Sequence, residues 1–68
     1  MLKSAIDNIS KAVSMIDSVC RSEQFALNNV PENLQDSDRA IQMEENIDAL
    51  SDASEELGDI KDTLTGIL

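Results

Sequence analysis

The fold is decided by residues 2–20, LKSAIDNISKAVSMIDSVC, in which apolar side chains return at alternating steps of four and three. The recurring residues are Leu2, Ile6, Ile9, Val13, Ile16 and Cys20. This heptad spacing lines one side of an α-helix with apolar side chains and leaves the other side polar. It predicts an amphipathic helix from about residue 3 to about residue 28.

A turn is expected directly after this helix, over about residues 29–37. Residues 28–31, NNVP, favour a stop, because Asn suits a helix C-terminus and proline disfavours helical geometry in the residue before it. Pro31 can begin a short helical turn that reaches Leu34. Residues 36–38, DSD, then supply N-caps for a following helix.

The second helix is predicted over about residues 38–65, again from apolar residues at steps of three and four. Its apolar stripe reads Ala40, Met43, Ile47, Leu50, Ala53, Leu57, Ile60, Leu64 and Ile67. Gly58 costs about 1 kcal/mol relative to alanine and leaves room for a neighbour to approach. Two such helices and a short connection predict an all-α antiparallel hairpin, with residues 1–68 forming one domain.

A hairpin of 68 residues has a small core, and its only cysteine, Cys20, cannot form a disulfide within the chain. We therefore expect two hairpins to dimerise into a four-helix bundle, with a monomer as the alternative. Glu23, Ser54 and Lys61, at or beside the apolar stripes, would fix the register. The residues assigned to this oligomer seam are Ile6, Ile9, Val13, Ile16, Cys20, Met43, Ile47, Leu50, Leu57 and Leu64.

Charge divides the chain into two unlike halves. Residues 1–30 hold three acids and three bases, whereas residues 31–68 hold eleven acids against Arg39 and Lys61, which is the whole net charge of −9. A pI near 4.1 argues against direct binding to nucleic acid or to an anionic membrane. The charge favours a protein partner with a basic surface.

Most of these acids lie on the second helix. They are Glu44, Glu45, Asp48, Asp52, Glu55, Glu56, Asp59 and Asp62, and we call them the acidic face. Several stand four residues apart, which destabilises a helix by a few tenths of a kcal/mol per pair. Two interpretations stay open: a solvated face that only keeps the chain soluble, or a surface that binds a basic groove. In the second case the carboxylates, about 6 Å apart, could mimic the phosphates of a nucleic acid.

The sequence matches no catalytic motif, because the chain has no His, no Gly-rich phosphate loop and no nucleophile beside a base. We expect no enzyme activity, no cofactor and no metal site. Cys20 is interpreted as a buried structural thiol. Phe25, the only aromatic residue, is expected to pack with Val30 and Leu34 under the connection, the alternative being an exposed anchor for a partner. Without a leader-like or membrane-spanning apolar run, the sequence predicts a cytoplasmic protein.

Residues 23–35, EQFALNNVPENLQ, together with residues 43–50, MEENIDAL, resemble a group of short acidic proteins encoded in bacteriophages and prophages. The pattern of that group is EQEAFDNLPESLQ, then a spacer, then MEEAIDALEEA. The resemblance covers about residues 22–57, and this chain has Ala26-Leu27-Asn28 where the group tends to have Ala-Phe-Asp.

The group has no established activity, so the resemblance implies a phage origin, a bacterial host and an architecture. It favours a non-enzymatic protein that binds, or binds and inhibits, a host defence or nucleic-acid-handling protein through the acidic face. The alternative is a structural or assembly module that acts by oligomerisation through the seam.

Overall fold

Two long helices packed side by side account for most of the computed structural model, which describes residues 1–68. Helix α1 spans Leu2–Asn28 and helix α2 spans Asp38–Thr65. A single 3-10 turn, Glu32–Leu34, lies in the connection between them. The molecule is a rod with Cα extents of 52 × 14 × 11 Å. The predicted all-α helical hairpin is therefore confirmed, with helix bounds within one residue of those expected.

The ends of the helices follow from local hydrogen bonds. The Asn29 side chain donates to the Phe25 carbonyl at 2.8 Å, and the Asn29 backbone N–H donates to the same carbonyl at 3.2 Å. Ser37 has an extended backbone and caps α2, since its hydroxyl accepts from the Ala40 backbone N–H at 3.3 Å. Asp38, in the first turn of α2, suits the positive end of the helix dipole.

Two contacts between the helices define how they are aligned. The Cys20 thiol donates to the Ile47 carbonyl at 3.8 Å, and the Ser54 hydroxyl donates to the Asp17 carboxylate at 2.6 Å. Both join the second half of α1 to the middle of α2, as an antiparallel hairpin requires. The residue numbers of each pair add to about 70, so we infer that Cys20 lies level with Leu50 and that Val13 lies level with Leu57.

The inward row of α2 differs from the predicted stripe. Ala53 and Ile60 were expected to face inward, yet both are exposed, and Ser54 and Lys61 are half-buried in their place. The inward row is Ala40, Met43, Ile47, Leu50, Ser54, Leu57, Lys61 and Leu64. This row keeps strict heptad steps of three and four. The prediction was wrong here because it followed the apolar residues, whereas helix geometry keeps the period even where a polar residue falls on it.

The layers between the helices consequently alternate in polarity. Layers made only of apolar side chains are Ile6–Leu64, Val13–Leu57, Cys20–Leu50 and Leu27–Met43. Between them lie layers with one polar or small member, namely Ile9–Lys61, Ile16–Ser54, Glu23–Ile47 and Val30–Ala40. A polar residue in a layer lowers stability but penalises a shift of one helix along the other. The polar layers thus select this register.

The enclosed core is very small. Only Ile6 and Ala40 are buried, at 8% and 1% exposure, and the other inward side chains are half-buried. The accessible area is 5145 Å², whereas a compact monomer of this mass would expose about 4,200 Å². Two helices alone cannot surround their own apolar side chains.

Replacing Ile6 by alanine tests the one well-buried large side chain. We expect Ile6→Ala to lower the free energy of unfolding by about 2–4 kcal/mol, since it removes buried methyl groups and leaves a cavity. Ile41→Ala is the matched control, because Ile41 is 45% exposed. It should change stability by less than about 0.5 kcal/mol in urea unfolding at one protein concentration. Equal losses in the two variants would contradict the placement of Ile6.

Replacing Gly58 by alanine tests whether a neighbour needs the space at that glycine. A Cβ built on Gly58 meets nothing within 4 Å, so the space expected to admit a close neighbour is open. Gly58→Ala should therefore raise the free energy of unfolding by about 1 kcal/mol through helix propensity. A loss of stability on thermal unfolding would show that another element packs there.

Candidate interaction surfaces

The residues predicted as an oligomer seam lie between α1 and α2 of one chain. Ile6 is buried, and the rest are half-buried along the contact between the two helices. Their apolar surface is thus largely used within the hairpin. Contacts with another molecule have to be made mainly by residues outside the seam.

The acidic face covers the outer side of α2. Glu45, Asp52 and Asp59 point away from α1, whereas Glu44, Asp48 and Glu55 also line the edge where the two helices meet. All eight of its residues are exposed. Six of them form two neighbouring rows with a period of seven residues: Glu45, Asp52 and Asp59 in one row, and Asp48, Glu55 and Asp62 in the other. Glu44 and Glu56 border these rows. The helix therefore brings all the predicted residues together on one continuous surface.

The geometry of the acidic face is that of a straight charged strip. Within a row the carboxylates repeat about every 10.5 Å, and the strip from Glu44 to Asp62 is about 27 Å long. Neighbours three or four residues apart are about 6 Å from each other. Lys61, the one base within this stretch of α2, is half-buried on the inward side and does not interrupt the strip.

One edge of the hairpin, where side chains of α1 and α2 meet beside the seam, is polar. A shallow groove there is lined by Asp17, Cys20, Arg21, Ser51, Ser54 and Glu55. A second groove further along the same edge is lined by Gln24, Leu27, Glu44, Ile47 and Asp48. The hydrogen bond from Ser54 to Asp17 lies on this edge. Both grooves are open. The first is mixed in charge, whereas the second holds two acids and no base.

The opposite edge carries a shallow groove lined by Glu23, Asn46, Ala49 and Leu50, and the rest of it is apolar. We call the apolar part the flank. It consists of Ala5, Ala12, Val19 and Ala26 of α1 with Ala53, Ile60 and Ile67 near the end of α2. All are exposed except Ala12, which is half-buried. Neither row of the flank contains an acid, although the chain has fourteen. The sequence signal for the α1 side of this surface is the recurrence of Ala5, Ala12, Val19 and Ala26 at seven-residue steps beside the apolar stripe.

Phe25 points away from the hairpin. It is 72% exposed, and Leu34 is 49% exposed, so the prediction that they pack together under the connection was wrong. Pro31 has an extended backbone, with φ −56° and ψ 145°, and the 3-10 turn Glu32–Leu34 follows it. The alternative of an exposed apolar residue fits this geometry. Cys20 is half-buried on the seam as a free thiol rather than fully buried.

No group of three or more His, Cys, Asp or Glu side chains is arranged to hold a metal ion. Neither helix has a stretch long and apolar enough to cross a membrane. Of the predicted surfaces, the acidic face and the apolar side chains outside the seam are the ones available to a macromolecule. No protein-family model, no curated protein and no solved structure matches the chain.

Charge crowding on the acidic face can be tested at Glu56, which lies four residues after Asp52 and three before Asp59. Glu56→Lys replaces two repulsive pairs by attractive ones and should raise the free energy of unfolding by about 1 kcal/mol. Glu56→Gln only removes the repulsion and should give about half of that gain. Urea unfolding at low salt measures both variants, and about 1 M NaCl should reduce the differences. Destabilisation by Glu56→Lys at low salt would show that Glu56 is paired with a base.

Proposed function

We propose that this chain is a non-enzymatic interaction protein that binds a basic surface of a protein partner through its acidic face. The observation that carries the proposal is the pair of carboxylate rows on α2. Both rows are exposed, the row of Glu45, Asp52 and Asp59 points away from α1, and none of the side-chain hydrogen bonds of the hairpin uses a carboxylate of either row. The whole strip is therefore free to contact another molecule.

The energetic cost of the acidic face supports a binding role over simple solubility. Like-charge pairs four residues apart are Glu44 with Asp48, Asp48 with Asp52, Asp52 with Glu56, and Glu55 with Asp59. Together they destabilise α2 by about 1–2 kcal/mol. A surface of mixed charges would give solubility without this cost. Binding to a basic groove would convert the repulsion into a favourable interaction and would speed association.

We also propose an origin for the protein and a place where it acts. The resemblance of residues 22–57 to short acidic phage proteins supports a phage origin and action in the cytoplasm of a bacterial host, where binding could inhibit a defence or nucleic-acid-handling protein. The carboxylate strip would then occupy a site that otherwise takes phosphates. Phe25, exposed on α1, is available as an additional apolar anchor.

Binding through the acidic face is tested by removing its charge without changing its shape. Asp48→Asn, Asp52→Asn and Glu56→Gln, made together, change the net charge from −9 to −6. The matched control is Ser4→Lys, Ser14→Lys and Ser18→Lys, which gives the same net charge from exposed positions of α1. Bacterial extract is passed over each immobilised protein at about 50 mM and about 300 mM salt, because exposed charges are screened over this range.

We expect the wild-type chain and the serine variant to retain the same host protein at low salt, and the neutralised variant to lose it at least tenfold. Full reversal, with Asp48, Asp52 and Glu56 all changed to Lys, should abolish retention while circular dichroism still shows a helical chain. Release of the host protein by duplex DNA would support the mimicry form of the proposal. Equal retention by the neutralised and serine variants would overturn binding through the acidic face.

A second candidate function is assembly, with self-association as the activity. The observation in its favour is the small core, in which only Ile6 and Ala40 are buried. A dimer in the form of a four-helix bundle would cover apolar side chains that the hairpin leaves wet. The two functions are compatible, because the acidic face and the flank are separate surfaces.

A further inference from the structure

We infer that the flank is where a second copy of this chain docks, so that two hairpins pack into a four-helix bundle with both acidic faces outside. This inference rests on the self-association proposed above and names the flank as the surface through which the two copies associate. The flank consists of Ala5, Ala12, Val19 and Ala26 of α1 with Ala53, Ile60 and Ile67 of α2.

The need for a cover comes from the size of the chain. Domains shorter than about 70–80 residues are commonly stabilised by disulfides, by a metal or by oligomerisation. This chain has one cysteine and no group of side chains arranged to hold a metal. Oligomerisation is one means that remains, and a second copy of the chain is the partner that is always present where the protein is made.

The accessible area of the whole chain is large enough to supply an interface of the size that a stable dimer needs. The chain exposes 5145 Å², about 900 Å² more than a compact monomer of its mass. A pair as compact as one protein of twice the mass would expose about 7,000 Å², so pairing could remove up to about 3,300 Å² in total. Stable interfaces bury about 1,200–2,000 Å², and permanent homodimers bury more.

Charge selects the flank over the other faces. The rows of the flank contain no acid, and the next row of α1 outside it contains Met15, which is 69% exposed. The one acid that lines this edge is the half-buried Glu23, so a basic partner would find little counter-charge there. Two copies that meet through their acidic faces would repel each other, whereas two copies that meet through their flanks keep the acidic faces apart.

The side chains of the flank are also complementary in size. The α1 row is mainly alanine, at Ala5, Ala12 and Ala26, whereas the α2 row ends in the large side chains Ile60 and Ile67. In the register of the hairpin Ile60 is level with Ser10, about 3 Å along the helix axis from Ala12. When α1 of one copy lies on α2 of the other, the isoleucines of each copy fit the alanine row of its partner. Such a contact is self-complementary, as a two-fold dimer requires.

The test compares two isoleucines of α2 that are equally exposed. Ile60 lies on the flank and is 49% exposed, and Ile41 lies outside the flank and is 45% exposed. Sedimentation equilibrium and multi-angle light scattering are measured for the wild-type chain, Ile60→Glu and Ile41→Glu. We expect the wild-type chain at about twice its monomer mass of 7.4 kDa. Ile60→Glu should weaken the dimer at least 100-fold, and Ile41→Glu should change its dissociation constant less than threefold.

Self-association and the use of the flank as its interface can be tested separately. A wild-type chain that stays monomeric at about 100 μM would overturn both self-association and the flank. A wild-type dimer that Ile41→Glu weakens as much as Ile60→Glu, or more, would overturn only the flank. Neither result bears on binding through the acidic face, which is measured separately by charge neutralisation.

Two further measurements test the dimer if Ile60→Glu also unfolds the hairpin: the melting temperature at several protein concentrations and the affinity of the dimer at several salt concentrations. The melting temperature of the wild-type chain and of Ile41→Glu should rise with protein concentration, as dimer linkage requires. The dimer should tighten when salt is raised, because each copy carries a net charge of −9 and the repulsion is screened. A melting temperature independent of concentration, or a dimer that weakens with salt, would overturn the flank as the interface.

Discussion

Antiparallel contact between two heptad rows is the constraint on which the rest of this structure depends. Two helices touch along a line rather than enclosing a volume, so every inward side chain is also near solvent. Register then becomes the critical variable, because a shift of one helix would move polar residues against apolar ones along the whole rod. The hydrogen bond between Ser54 and Asp17 and the half-buried Lys61 and Glu23 favour one alignment over its neighbours.

The same geometry distributes the other residues over distinct surfaces. Once the inward row of α2 is fixed, helical periodicity places its acids on the far side and its last isoleucines on one edge. The neutral α1 contributes an alanine-rich row to that edge. A chain of 68 residues thereby carries two surfaces with opposite chemistry, one suited to a basic partner and one suited to apolar contact. Charge repulsion along α2 is tolerated because packing against α1, rather than helix propensity alone, holds that helix together.

Much of the fold could be predicted from the sequence, because the heptad steps of residues 2–20 and the NNVP stop at residues 28–31 are strong local signals. Which side of α2 faces α1 could not be predicted from the sequence. Ala53 and Ile60 compete with Ser54 and Lys61 for the inward row, and only contact with α1 decides between them. The acidic face was predictable because charge density is readable without a structure. The flank and the exposure of Phe25 depend on which edge each helix presents, and that follows from packing rather than from composition.

The central claim is that the seam is closed within one chain, which leaves the flank for a second copy. Methyl nuclear Overhauser contacts between Val13 and Leu57, which lie in one layer of the hairpin, test it most directly. Labelled chain is mixed with a tenfold excess of unlabelled chain, so that contacts between two labelled copies become rare. The account predicts that the Val13–Leu57 contact keeps its full relative intensity on dilution. Loss of the contact would show that the seam joins two different chains, and that would contradict the account.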